Sequence, residues 1–170
     1  MDDERWVVFA RGANRPGTVA AVTAVFSTRG VSFDSLSTSP LSTGDDDGGG
    51  LVTVTFRTTD RRRRELVRAV ERLAAVSGVV VRRSADLGVR AAAAVHLPRD
   101  VPFRPPPQAG VSWSGRAELG EPVLVEGPLV DVELVVAAAR AAGATSTALV
   151  IEPPPAPSGP EPVAVVNADR

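Results

Sequence analysis

The first part of the chain alternates between short apolar runs and helical patterns. Residues 6–11 are an apolar run ended by Gly12, which predicts a buried strand. Apolar residues then recur at helical spacing and predict a helix over residues 17–29. Pro16 suits the first helical turn, because its missing N–H would have no partner there, and Gly30 suits the C-terminal cap. The apolar stripe of this helix consists of Val19, Val22, Val25 and Phe26.

Two alternating segments follow this helix. Residues 31–35 alternate apolar and polar side chains, as a half-buried strand does, and Leu36 breaks the alternation, which predicts a bulge or a bend at that point. Residues 40–50 carry turn residues throughout and predict a flexible hairpin connection. Residues 51–57 alternate again. Their two faces are Val52, Val54 and Phe56 on one side, and Thr53, Thr55 and Arg57 on the other.

A second helix and a last strand complete the order β-α-β-β-α-β. Asp60 suits the N-cap of a helix over residues 61–75, and residues 79–81 are a short apolar strand. Within about 80 residues this order is the ferredoxin-like arrangement, an antiparallel sheet with both helices on one face. The predicted fold class is therefore α+β, and we place this domain at residues 5–85.

The rest of the chain predicts a second, smaller α+β region over residues 86–152. Residues 98–107 carry five prolines, which exclude a regular element. No candidate is therefore left for the first helix of a second βαββαβ unit. Residues 153–170 are Pro-rich and predict a disordered tail. The predicted elements are strands at 90–96, 111–115, 123–126 and 147–151 and a helix at 128–142.

Composition narrows the classes of function. A net charge of −1 argues against bulk electrostatic binding to nucleic acid or to an anionic membrane. All 19 basic residues are Arg and Cys is absent, which excludes Schiff-base lysines, thiolate nucleophiles and disulfides. No apolar run reaches the roughly 20 residues that a membrane helix needs. The acidic N-terminus lacks the apolar core of a signal peptide, so we expect a cytoplasmic protein.

Most other candidate motifs favour structural roles. The run Arg61–Arg64 is interpreted as a solvated helix start rather than a nucleic-acid site, because the net charge is near zero. Asp45–Asp47 lack the alternate spacing of a calcium loop. An RNA-binding sheet needs aromatics on its central strands, and Phe56 belongs to the predicted core. His96 has no metal or catalytic partner nearby in sequence, so we predict no catalytic residue, metal or cofactor.

Two stretches of the first domain carry a family resemblance. The first is Asn14-x-Pro16-Gly17 after an apolar strand, and the second is the run FSTRGVSFDSL from Phe26 to Leu36. Together they closely resemble the N-terminal ACT domain of the acetolactate synthase small (regulatory) subunit. The resemblance implies a non-catalytic, allosteric subunit that forms a homodimer through its ACT domain. It further implies a small amino acid effector such as valine, and a thiamine-diphosphate-dependent catalytic subunit in branched-chain amino acid biosynthesis.

The same resemblance implies where the effector binds. Ser32 departs from the family, which usually has asparagine there, and a hydroxyl lacks one of the two hydrogen-bonding functions of an amide. The implied effector-binding residues are Asn14, Arg15, Pro16, Gly17, Thr18 and Val19 in the first turn, and Ser32 and Phe33 at the start of the second strand.

The turn at residues 14–17 admits two interpretations. As a ligand cradle it would offer the N–H groups of Gly17, Thr18 and Val19 to a carboxylate, and the side-chain oxygen of Asn14 to an ammonium group. As a plain turn, its Asn and Gly only relieve backbone strain. The leading hypothesis is therefore an amino-acid-binding regulatory subunit. The alternative is an ACT-fold protein-interaction module without a small-molecule effector.

Overall fold

The computed structural model describes residues 3–41 and 49–155 of the 170-residue chain. These residues form two four-stranded antiparallel sheets and three α-helices, which confirms the predicted α+β class. The predicted acidic run Asp45–Asp47 and residues 156–170 of the predicted tail lie outside the described residues.

The first sheet has the strand order β2-β3-β1-β4. Helices α1 and α2 pack together on one of its faces, where they share a core with even-numbered residues of β1 and β3. The ferredoxin-like prediction is therefore confirmed. The elements are β1 (Glu4–Ala13), α1 (Thr18–Thr28), β2 (Phe33–Leu41), β3 (Gly49–Thr58), α2 (Asp60–Glu71) and β4 (Val76–Arg83).

The observed ends of α1 and α2 differ in detail from the predicted ones. Gly30 follows α1 with a φ of +62° and ends it as predicted. Pro16, expected in the first helical turn, instead precedes Gly17, the N-cap of α1, whose left-handed φ of +91° is incompatible with an earlier start of the helix. The N-cap of α2 is Thr59, whose side chain accepts a hydrogen bond from the Arg62 backbone N–H, and not Asp60. Helix α2 ends at residue 71 rather than 75.

The bulge predicted near Leu36 lies two residues earlier. Phe33 pairs with Phe56 and Ser35 pairs with Thr55, so Asp34 is the extra residue between them. The strand then continues to Leu41, into the stretch where a turn was predicted, because it pairs with β3 along its length. Since β2 is the edge of the sheet, a bulge is well tolerated there and re-aims the Asp34 side chain.

The second face of the first sheet is also covered. Val7 and Phe9, the odd-numbered residues of β1, share a core with the second sheet and its helix. Thr53 and Thr55 lie on this face as predicted, yet they are buried, with 4% and 0% of their surface exposed. The Thr55 hydroxyl is satisfied by a 2.7 Å hydrogen bond with Ser35. The polar face of β3 is therefore not a solvent face.

The second sheet, with the order β6-β7-β5-β8, repeats the topology of the first. A non-helical segment at residues 97–111 replaces the first helix, and its Val101, Phe103, Ala109 and Val111 pack against the same core as α3. The predicted absence of that helix is therefore confirmed. The elements are β5 (Arg90–His96), β6 (Ser112–Ser114), β7 (Val123–Pro128), α3 (Leu129–Ala141) and β8 (Ser146–Ile151).

Across residues 3–41 and 49–155, the structure contains no helix that is both long enough and apolar enough to cross a membrane.

Helix α3 offers a matched pair of leucines that tests the shared core. Leu129 is fully buried, whereas 37% of Leu134 is exposed on the same helix. We expect Leu129→Ala to lower the free energy of unfolding by about 2–5 kcal/mol, because it leaves a cavity. Leu134→Ala should cost less than about 1 kcal/mol. Urea denaturation of both variants checks this, and equal losses would contradict the burial of α3 between the sheets.

Candidate functional site

The turn between β1 and α1 is a tight, hydrogen-bonded loop. The Arg15 N–H donates to the Ala13 carbonyl at 3.0 Å, and the Thr18 N–H donates to the Arg15 carbonyl at 3.3 Å. The Thr18 hydroxyl also donates to Ala13. Thr18, one of the three N–H groups predicted to be available, therefore already has a partner. Within the described part of the chain, the N–H groups of Gly17 and Val19 have no acceptor.

The N-terminus of helix α1 has no negatively charged or capping side chain of its own. Its first turn contains no acidic residue, and no side chain caps it. The positive end of the helix dipole is therefore not neutralised by the helix itself, which favours a negatively charged group nearby. Asn14, Arg15, Pro16 and Gly17 are all exposed, and Val19 is an exposed apolar side chain at 38%.

Asn14 lies directly over β3. A Cβ atom added to Gly50 would come within 3.3 Å of the Asn14 Cα and Cβ atoms. Gly50 therefore provides the space in which the Asn14 side chain sits. Sequence reasoning missed Gly50, because its position beneath Asn14 follows only from the register in which Gly12 pairs with Gly50.

A small cavity of about 100 Å³ joins the turn to the edge strand. Most ligand sites enclose about 300–1,000 Å³, so this cavity holds only part of a small molecule. Sequence reasoning did not identify the residues from β2, because only the pairing of β2 with β3 brings them to the turn. The lining residues are Ala13, Asn14, Arg15, Thr18 and Val19 from the turn, Thr38, Ser39 and Pro40 from β2, and Gly50, Leu51 and Val52 from β3.

Ser32 and Phe33 lie elsewhere in the same chain. Phe33 pairs with Phe56 near the far end of β3, whereas Leu41 pairs with Gly49 next to the turn. Ser32 and Phe33 line a separate shallow cavity beside the C-terminal end of α1. The structure thus brings together the six predicted residues of the turn. Nearly the whole length of β2 separates them from Ser32, just before this strand, and from Phe33, its first residue.

Strand β2 is an exposed edge. Seven of its nine residues are exposed and Leu36 and Leu41 are half-buried. Asp34 is its only charged residue. A long edge strand with little charge presents unpaired backbone groups to a further strand.

The arginine run at the start of α2 is engaged in local contacts. Arg61 pairs with Glu65, while Arg63 and Arg64 both pair with Asp60. The hydrogen bond from Arg63 lowers the pKa of Asp60. The Arg63 guanidinium also stacks over the ring of Trp6 at 4.7 Å. These contacts favour the predicted structural role over a nucleic-acid site.

Titratable groups do not gather into a metal site in residues 3–41 and 49–155, where no cluster of three or more His, Asp or Glu side chains is present. A larger concavity of about 570 Å³ lies on the outer face of the second sheet, away from the turn. It is mostly apolar and is lined in part by Ala92, Ala94, Leu124 and Val150.

A comparison with protein-family models matches most of the first sheet and both of its helices. Residues 6–75 match the family model of the ACT domain. The matched segment contains the turn, both helices and the edge strand described above. The comparison with curated protein sequences gave no significant match.

The comparison with solved structures found one likeness of fold and one more distant similarity, both at low sequence identity. The small subunit of acetolactate synthase from Thermotoga maritima is 16% identical, with a TM-score of 0.58 over 87% of this chain and 96% of that one. The regulatory subunit of aspartate kinase from Thermus thermophilus is 16% identical, with a TM-score of 0.44 over 84% and 94% of the two chains. The first likeness is one of fold, and the second is too distant to support an inference.

The backbone of the turn can be tested with two glycines. Gly17 has a φ of +91° with open space around it, so Gly17→Ala should cost roughly 1–2 kcal/mol of stability from backbone strain alone. Gly78 has equally open space without a left-handed φ, so Gly78→Ala should change stability little or raise it by about 0.4–1 kcal/mol. Chemical denaturation measures both, and equal effects would show that the turn does not require its left-handed residue.

Proposed function

We propose that this chain, in which residues 6–75 form an ACT domain, is a non-catalytic regulatory subunit that binds a small amino acid. The effector is a branched-chain amino acid such as valine. The regulated partner is an acetolactate-synthase-like catalytic subunit that uses thiamine diphosphate, as the resemblance of Asn14–Gly17 and of Phe26–Leu36 implies. The observation that carries the proposal is the cavity formed jointly by the turn and the edge strand.

The chemistry of this cavity suits an amino acid. The N–H groups of Gly17 and Val19 and the positive end of α1 attract a carboxylate. The side-chain oxygen of Asn14 can accept a hydrogen bond from an ammonium group. The exposed Val19 side chain offers an apolar contact to an aliphatic side chain of the ligand. One site thus meets all three parts of a branched-chain amino acid.

A second copy of the chain completes the site in this proposal. The cavity of about 100 Å³ is too small alone, and it adjoins the exposed edge strand β2. In a two-fold dimer with antiparallel β2 strands, the middle residue, Ser37, faces its own copy. The start of the partner's strand then lies opposite Leu41 and the turn. This arrangement brings Ser32 and Phe33 of one protomer to the Asn14 turn of the other.

A specific observation also favours the alternative, a protein-interaction module without an effector. An apolar concavity of about 570 Å³, larger than the cavity at the turn, lies on the outer face of the second sheet. A pull-down with the full chain separates the two functions. Recovery of a thiamine-dependent synthase favours the regulatory subunit, whereas recovery of unrelated proteins, with no effect of valine, favours the interaction module.

Calorimetry with Asn14→Ala tests the effector site. The wild type should bind at least one of valine, leucine and isoleucine. Asn14→Ala should weaken that binding by about tenfold or more, because it removes a hydrogen bond to a charged group. Thr28→Ala, at the other end of α1, serves as the control and should bind normally. Silence of the wild type toward all three amino acids at millimolar concentration would remove the effector from the proposal.

Light scattering with Ser37→Lys tests the dimer. Two like charges would face each other across the two-fold axis, so the variant should be mainly monomeric where the wild type is dimeric. Ser77→Lys adds the same charge to the opposite edge strand, β4. Its mass by light scattering should remain that of the wild-type dimer. A dimeric Ser37→Lys variant would contradict pairing through β2.

A further inference from the structure

An ion network connects the edge strand of the ACT domain to the helix of the second sheet. Arg5, on β1, donates from Nε to Asp34 Oδ2 at 3.1 Å and from Nη1 to both carboxylate oxygens of Glu133 on α3, one of them at 2.5 Å. Asp34 lies at the start of β2. A single guanidinium thus joins three elements whose residues are as many as 128 positions apart.

The backbone is shaped to make this contact. Asp34 is the bulged residue of β2, the one position that the ladder with β3 leaves unpaired. A bulge bends the strand locally and re-aims a side chain. Here it brings the carboxylate within reach of Arg5, and also within 3.6 Å of Arg57.

Charge, rather than close packing, connects β2 with α3 at this point. A cleft of about 430 Å³ separates them, and its walls include Arg5, Asp34, Leu36 and Glu133. Apolar packing around this cleft is therefore incomplete. The ion network bridges the two elements across this cleft.

The three side chains of the ion network are partly shielded from solvent. Only 19% of the Arg5 side chain is exposed, against 39% for Asp34 and 32% for Glu133. Burial lowers the pKa of Arg5, but the hydrogen bonds and charges of Glu133 and Asp34 outweigh it and hold the pKa above its usual value. Removing either carboxylate leaves a half-buried cation with a single partner, which is unfavourable.

We propose that Arg5 is a positioning residue that couples the start of β2 to α3, so that events at the β2 edge change the second sheet. The inference rests on the proposed function for its meaning, because Ser32 and Phe33, just before Asp34, are the residues proposed to meet the partner protomer's effector. The second sheet is then the part of the chain that passes the signal to the catalytic partner. The coupling itself is a property of the network and exists without a ligand.

Hydrogen exchange of the full-length variants tests the coupling without any effector. Glu133→Gln on α3 should speed amide exchange at the start of β2 by about tenfold, and Asp34→Asn should speed exchange around Glu133 by a similar factor. Glu65→Gln breaks a glutamate–arginine pair on α2 and is the matched control, which should change neither segment. Insensitivity of each segment to the other segment's mutation would overturn the proposal.

Arg5→Lys tests whether the coupling needs the guanidinium group or only a positive charge at this position. Lysine keeps the positive charge but lacks the planar guanidinium that bridges two carboxylates. This variant should therefore show the same faster exchange at both segments. Wild-type exchange at both segments would mean that a point charge suffices and that Arg5 has no positioning role.

Valine distinguishes this inference from the proposed function. If calorimetry shows binding, valine should alter exchange in α3 of the wild type, and Glu133→Gln should bind valine but lose that response. An unaltered response in Glu133→Gln would overturn the coupling while leaving the effector site intact. If the wild type does not bind valine, leucine or isoleucine, the effector proposal fails, and the reciprocal exchange of Glu133→Gln and Asp34→Asn decides the coupling alone.

Discussion

Strand β1 is buried on both faces, because α1 and α2 cover one side of it and α3 with the second sheet covers the other. Val8 belongs to the first core and Val7 to the second, and neither has any exposed surface. A strand buried in this way has no face left for a ligand. In the first sheet, the exposed backbone therefore lies at the turn from β1 into α1 and along the edge strand β2.

The second core explains several features that otherwise look unrelated. It buries the polar face of β3, so Thr55 must find a partner in Ser35. It brings Glu133 to Arg5, which lies near the start of β1. In this core, side chains of the Pro-rich segment at residues 97–111 pack where the first sheet has a helix. A polar group in such a layer is costly unless it is paired, and the contacts of Thr55 with Ser35 and of Arg5 with Glu133 meet this requirement.

The turn at Asn14–Gly17 and the ion network lie near opposite ends of β2. The turn adjoins Pro40 and its neighbours, while Asp34 lies beside Arg5 at the other end. A two-fold axis through the middle of this strand would bring the two ends of different protomers together. The proposed dimer therefore gives each effector one contact with its own turn and one with the partner's strand start. At the start of this strand, Asp34 contacts Arg5, and Arg5 in turn contacts Glu133 on α3.

The sequence alone determined the order of elements, because hydrophobic periodicity and turn residues are local properties. It placed a turn at Asn14–Gly17 between a strand and a helix, and the strand Arg90–His96 with its true bounds. It could not predict the bulge at Asp34, the N-cap at Thr59 or the close approach of Asn14 to Gly50. Those depend on strand register and on competing partners, which are set by contacts far apart in the chain. The burial of Thr53 and Thr55 and the bridge from Arg5 to Glu133 were decided only when the second sheet packed onto the first.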